Sequence, residues 1–175
     1  MKTGVIARIE HTARLKDGSI QVVVRGIRRA ERGETYISDE LIQCEILEKK
    51  RRRTSSFTQE KIATKELLEV FSEYLNYAPK PSDEIISAVN EMHDSSQIVD
   101  FLASRFIVNF DERKMLLEEY DTVKRIKKLC GIFEKDIEIY NLENNIQQKV
   151  RHTLQKQQRE MYLREQIRAI KSELG

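Results

Sequence analysis

From Asp121 to Leu174 the chain contains no proline and a single glycine, Gly131. Nothing else in this stretch opposes a helix. Asp121 is suited to cap it, and Gly131 is where a kink is expected. Unbroken, the helix is a rod about 80 Å long at 1.5 Å per residue. The composition agrees, because 34% charged against 39% apolar residues suits solvent-washed helices better than one compact sphere.

At 100° per residue the rod carries two apolar stripes. Leu142, Ile146, Val150, Leu154 and Met161 drift along one side, and Leu142 to Leu154 are expected to pack on the helices that precede them. Leu163, Ile167, Ile170 and Leu174 fall within about 60° of one another, turned by roughly a quarter turn or more from the first stripe. Their spacing of four, three and four is heptad-like. Between the stripes stands QKQQRE, Gln155–Glu160, which buries nothing without partners for its amides and charges. Lys156–Glu160, Glu160–Arg164 and Glu165–Arg168 are placed to reinforce the helix. The rod therefore presents two contacts, and the second has no following chain here to pack on.

The region before the rod divides in two. GVIARIEHTARL and SIQVVVRGIRRA read as strands joined at Asp17-Gly18, a hairpin signal, and Gly26 predicts a bulge or a close backbone approach. LIQCEIL, Leu41–Leu47, reads as a third strand, although its alternation is loose. Three such strands make a poor independent core, so the sheet reads as incomplete. After the basic run KKRRR at 49–53 every signal is helical. Ile62, Leu67, Leu68, Phe71 and Leu75 share a face, and Pro79 and Pro81 end that helix. Ser82 caps a second helix with Ile85, Ile86 and Val89. Ser95 or Ser96 caps a third, with Ile98, Phe101, Leu102 and Phe106 inward. Asn109 or Asp111 starts a short fourth through Met115, Leu116 and Leu117. The expected class is α+β: a small, incomplete antiparallel β subdomain at 1–48, a basic linker at 49–57, a small helical bundle at 58–120, and one very long α-helix over 121–175.

Several chemistries find no support. There is no GxxxxGK[ST] loop, and the glycines at 4, 18, 26, 33, 131 and 175 never cluster. His11, His93 and His152 lie in different segments, with no cysteine at metal-ligand spacing, so neither metal nor cofactor is expected. Carboxylates stand beside Lys or Arg on helix faces, and serines stand at helix starts, where pairing and capping account for them. Cys44 and Cys130 are expected to be separate buried thiols, with a disulfide unsupported. The net charge of +2 argues against the whole chain being an electrostatic nucleic-acid binder. The basic run reads as a solvated linker, with DNA or acidic lipid as its other reading. No apolar run is long enough to span a membrane, and the start lacks a signal-peptide core, so a reducing cytoplasmic setting is expected.

Three stretches resemble one family. QREMYLREQIRAIKSELG closely resembles the segment that precedes the ATPase module in Lon proteases, with pattern QREYYLREQ-K-AIQKELG. GVIARIEHTARLKDGSIQVVVRGIRRA resembles that family's amino-terminal β pattern, GTVA-I-…-LPDGT-VLVEG--RA, with Lys16 for Pro and Arg25 for Glu. FDERKMLLEEYDTVKRIKKL is similar to its DKQ-LLE--DV-ERL stretch. The resemblance implies the non-catalytic amino-terminal region of an ATP-dependent serine protease, with further strands before it and an AAA+ module and a Ser-Lys dyad domain after it. It implies misfolded or degron-bearing proteins as partners, a homohexameric parent, and ATP and Mg only in that parent. No catalytic residue carries over. Met161, Tyr162, Leu163, Ile167, Ile170 and Leu174 would then seat on the ATPase module, and the first stripe on the helical bundle or on a neighbouring subunit as a coiled coil. A plain coiled-coil or scaffold protein is the competing reading.

Overall fold

In the computed structural model, residues 3–38, 41–47, 55–78 and 81–175 are described. Three strands come first: β1 (Thr3–Arg14), β2 (Ile20–Ser38) and β3 (Leu41–Leu47). Five helices follow: α1 (Phe57–Tyr74), α2 (Asp83–Glu91), α3 (Ser95–Phe106), α4 (Phe110–Glu118) and α5 (Thr122–Glu173). The class is α+β, with an antiparallel sheet ordered β1-β2-β3 and a last helix of 52 residues. The basic run at 49–53 and Pro79 lie outside the described residues.

The β1–β2 hairpin closes where Asp17-Gly18 predicts it. Gly18 takes φ +87°, and Asp17 Oδ1 accepts from the Ser19 amide at 2.9 Å and the Ser19 hydroxyl at 2.6 Å. The register shifts between Ile6/Ala7, opposite Arg28 and Gly26, so the expected irregularity at Gly26 is present. A Cβ on Gly26 would stand 3.2 Å from Val5 Cγ1. β2 runs well past Ala30, where the strand signal weakens. It continues because β3 supplies a partner from Glu31 on, with a further irregularity between Arg32 and Thr35 where Gly33 lies against Glu45 of β3. Glu31 pairs with Thr3 on one side and Leu47 on the other. The first half of β2 is thus flanked by β1 and the second half by β3.

The helices build a core of their own. Leu67, Phe71 and Tyr74 of α1, Ile98, Val99 and Leu102 of α3, Leu116 of α4, and Ile126, Leu129 and Phe133 of α5 are all buried in it. Phe71 meets Phe106 edge-on at 4.8 Å and Phe133 at 5.6 Å between ring centroids. α1 starts with a capping box in which Ser56 and Gln59 bond reciprocally. Leu67 and Phe71 are buried as expected and Leu68 and Leu75 are partly buried against the core, but Ala63 rather than Ile62 faces inward, with Tyr74 beside Phe71. Ile62 is therefore turned outward. In α2 only Val89 is buried, and Ile86 is exposed. The cap of α3 is Asp94, not Ser95 or Ser96, because the two hydroxyls serve tertiary bonds to Thr64 and Arg125. Asn109 and Asp121 cap α4 and α5 as expected.

α5 packs on the preceding helices, which form a helical annex to the sheet, only through its first turns, ending near Ile137 and Tyr140. The expectation that Leu142, Ile146, Val150 and Leu154 pack on the preceding helices is corrected, since each is exposed. The reason is angular and longitudinal. Leu142 stands about 140° from Ile137 and about 180° from Phe133 at 100° per residue. α1, with 18 residues, is also far shorter than α5.

Candidate functional site

The sheet buries little. Thr3 and Ala30 are its buried residues among those described, side by side where β1 begins against the middle of β2. Alternation along β2 puts Ile20, Val22 and Val24 on one face, and Ile9 of β1 stands opposite Val24. All four are exposed. In the other half Ile37 stands opposite Ile42, and the two are 77% and 80% exposed. Exposed apolar side chains of this kind, in each half of the sheet, are costly to leave in water. Among the described residues no strand flanks the outer edge of β1, which leaves main-chain donors and acceptors along it for an added strand.

The sheet is tied to the helices by charge. Arg29 of β2 holds Asp100 of α3 through Nη1–Oδ2 at 2.8 Å and Nη2–Oδ1 at 2.5 Å, and its Nε donates to the Leu117 carbonyl at 3.1 Å. Arg125 of α5, only 2% exposed, adds an ion pair from Nε to Asp100 Oδ1 at 3.1 Å. Its other nitrogens donate to the Glu119 carbonyl at 2.9 Å and the Ser96 hydroxyl at 2.6 Å. One carboxylate thus joins β2, α3 and α5, and forked charge-assisted bonds set the sheet's position on the annex. Sequence patterning missed this trio. Its one signal was that Arg29 and Ala30 form the RA pair of the G--RA stretch.

Beside this clamp, Glu119 receives the Lys128 ammonium at 2.8 Å and the Asp121 amide at 3.1 Å. Burial pushes its carboxyl up, but these two partners outweigh it and hold the carboxyl below its ordinary value. Both cysteines are free. Cys44 is exposed on β3 rather than buried as expected, because that strand is uncovered. Burial pushes the half-buried Cys130 thiol up to about 11.

The second stripe, Leu163, Ile167, Ile170 and, at 81%, Leu174, is also exposed, as are Met161 and Tyr162 just before it. Glu165 and Arg168 pair on it at 3.7 Å. Hence α5 brings neither stripe to the sheet, and both lie on the projecting part of the rod. Among the described residues no group of three or more His, Cys, Asp and Glu side chains could hold a metal, and no helix is long and apolar enough to cross a membrane.

Comparison with known proteins places these features. A sequence model of the ATP-dependent protease La (LON) substrate-binding domain matches residues 1–135. Lon protease of Buchnera aphidicola subsp. Baizongia pistaciae is 32% identical over 180 residues, covering 98% of this chain and 22% of that protein. Lon protease of Heliobacterium modesticaldum is 33% identical over 172 residues, covering 98% and 21%. The chain thus spans about a fifth of the length of these relatives. The solved N-terminal domain of the Mycobacterium avium complex Lon protease superposes with a TM-score of 0.60 at 25% identity, over 76% of this chain and 70% of that one.

Proposed function

The chain belongs to the Lon protease substrate-binding domain family, and from that premise we propose that it captures unfolded or degron-bearing protein for an ATP-dependent serine protease without itself catalysing a step. The observation that carries this is the uncovered sheet, whose Ile37–Ile42 pair and Ile9–Val24 face offer apolar contacts to an unfolded segment. A folded protein keeps such side chains inside, whereas a misfolded one exposes the apolar groups that match them. In this reading residues 1–48 capture, 58–120 hold the sheet, and 121–175 carry the load outward to an AAA+ module where ATP and Mg act.

The rod supports the second half of the reading. Leu142 to Leu154 would join neighbouring subunits and help organise a hexamer, while Leu163, Ile167, Ile170 and Leu174 would seat on the ATPase module. Alanine at Leu163 and Ile167 in the full-length enzyme should uncouple degradation from ATP hydrolysis, and normal degradation would count against that seat.

The capture test uses a permanently unfolded polypeptide without net charge. It should bind the chain, and Ile37→Thr with Ile42→Thr should weaken binding without lowering the melting temperature. The exposed first stripe favours one other reading, a coiled-coil scaffold. A stable stoichiometric oligomer in sedimentation, with no binding of the unfolded polypeptide, would select it.

A further inference from the structure

The sheet does not share the core of the helices. Among the described residues, the buried apolar cluster draws its members from the helices and their connections, and none from β1, β2 or β3. Where sheet and annex meet, Val5 and Ile27 on one side and Phe101 and Leu117 on the other line a cavity of about 830 Å³. Val5 and Ile27 remain exposed there. The chain crosses from the sheet to the annex once, between Leu47 and Phe57. Two bodies without a common apolar core move relative to one another unless something else fastens them.

A charged fork supplies such a fastening. Arg29 reaches from β2 to Asp100 through two nitrogens and to the Leu117 carbonyl through the third. The Arg29 side chain is 19% exposed and that of Asp100 38%, so water and salt reach the pair and screen it more than they would a dry one. Arg125 pairs with the same carboxylate from within the annex. When Arg29 leaves, Asp100 therefore keeps a cation at its side, while Arg29 gains water. Neither charge is stranded in a dry interior, which is what makes most buried pairs hard to break. Opening at such a joint takes less free energy than global unfolding.

We propose that the sheet and the annex swing apart as two folded bodies, and that the Arg29–Asp100 fork is the latch that keeps them closed. Opening widens the cavity between β2 and helices α3 and α4, and any ligand that binds the open form better shifts the population towards it. Closure depends on salt, because the latch is a partly solvated ion pair. The proposal goes beyond the capture reading and does not rest on it, since the motion is read with no substrate present.

The test is the distance between two spin labels on the 175-residue chain, one on the exposed Cys44 of β3 and one on Lys127→Cys, exposed on α5, in a Cys130→Ala background. Pulsed electron resonance should show a main distance and a minor second one that grows as NaCl rises. Arg29→Gln, which leaves Asp100 paired with Arg125, should enlarge the second population about tenfold, the scale of one charge-assisted hydrogen bond, and flatten its dependence on NaCl. Arg29→Lys should fall between the two. Lys65→Gln, which removes an ion pair within α1, should leave the distances unchanged. Hydrogen exchange on Arg29→Gln separates swinging from unfolding, because the amides that pair β2 with β1 and those of α5 near Phe133 should stay protected. An unchanged distance distribution in Arg29→Gln, an undiminished salt response in it, the same change in Lys65→Gln, or loss of protection in β2 alongside the new distance would each overturn the proposal. If the latch fails in this way while the unfolded polypeptide still binds, the capture reading stands.

Discussion

Arg29 and Asp100, 71 positions apart in sequence, form a two-pronged ion pair that joins the sheet to the helical annex. The pair is half-buried and shares its carboxylate with the buried Arg125, so it acts as a three-way joint between β2, α3 and α5. Asp100→Ala would leave two guanidiniums without their anion. It should cost about 2 kcal/mol, below the value for a fully buried pair because Asp100 is partly solvated. Arg29→Lys should also destabilise, by about 1 kcal/mol, since an ammonium cannot replace the fork. Urea unfolding of the full chain measures both, and a change under about 0.5 kcal/mol for Asp100→Ala would remove the joint from the account.

Glu119 ties stability to pH. Its folded carboxyl is held below the ordinary value of 4.5, net of the upward push of burial, by Lys128 and the Asp121 amide. A depressed carboxyl contributes stability that is present above its unfolded value and lost as pH falls through the folded one. Glu119→Gln should therefore cost about 1 kcal/mol at neutral pH and nothing once pH lies below both values. A Glu119→Gln penalty that persists undiminished into acid would contradict this assignment.

Two glycines should respond in opposite directions to alanine. A Cβ on Gly33 would stand 3.0 Å from Glu45 Cβ, so Gly33→Ala must shift β3 against β2 and should cost about 1–2 kcal/mol. Gly131 lies inside α5 with nothing within 4 Å of an added Cβ. Gly131→Ala should stabilise by about 0.5–1 kcal/mol. Thermal melts of the two variants moving the same way would refute one of the two environments.

The cysteines should separate by reactivity. Cys44 is exposed, while the Cys130 thiol is half-buried and pushed up to about 11 by burial. At mildly alkaline pH iodoacetamide should label Cys44 quickly and Cys130 only after denaturant is added, because the thiolate is the nucleophile. Peptide mapping by mass spectrometry reads the two sites directly. Equal labelling of the native chain would mean that the first turns of α5 open more readily than their packing allows.

Local chemistry alone determined much of this protein. Asp17-Gly18 placed the hairpin, Asn109 and Asp121 placed two helix starts, and the proline-free run from Asp121 dictated the rod. Each depends on dihedral preferences and on bonds between residues a few positions apart, so a linear reading suffices. Tertiary structure alone decided the rest. Periodicity shows that a stripe exists but not whether anything covers it. Ile62 and the row from Leu142 to Leu154 thus turned outward, while Ala63 and the row from Ile126 to Ile137 took the buried positions. β2 ran on to Ser38 because β3 supplied a partner that its own sequence does not advertise. The joint of Arg29, Asp100 and Arg125 showed in the sequence only as the RA pair at Arg29 and Ala30, since long-range ion pairs arise only when packing brings distant elements within reach of one carboxylate.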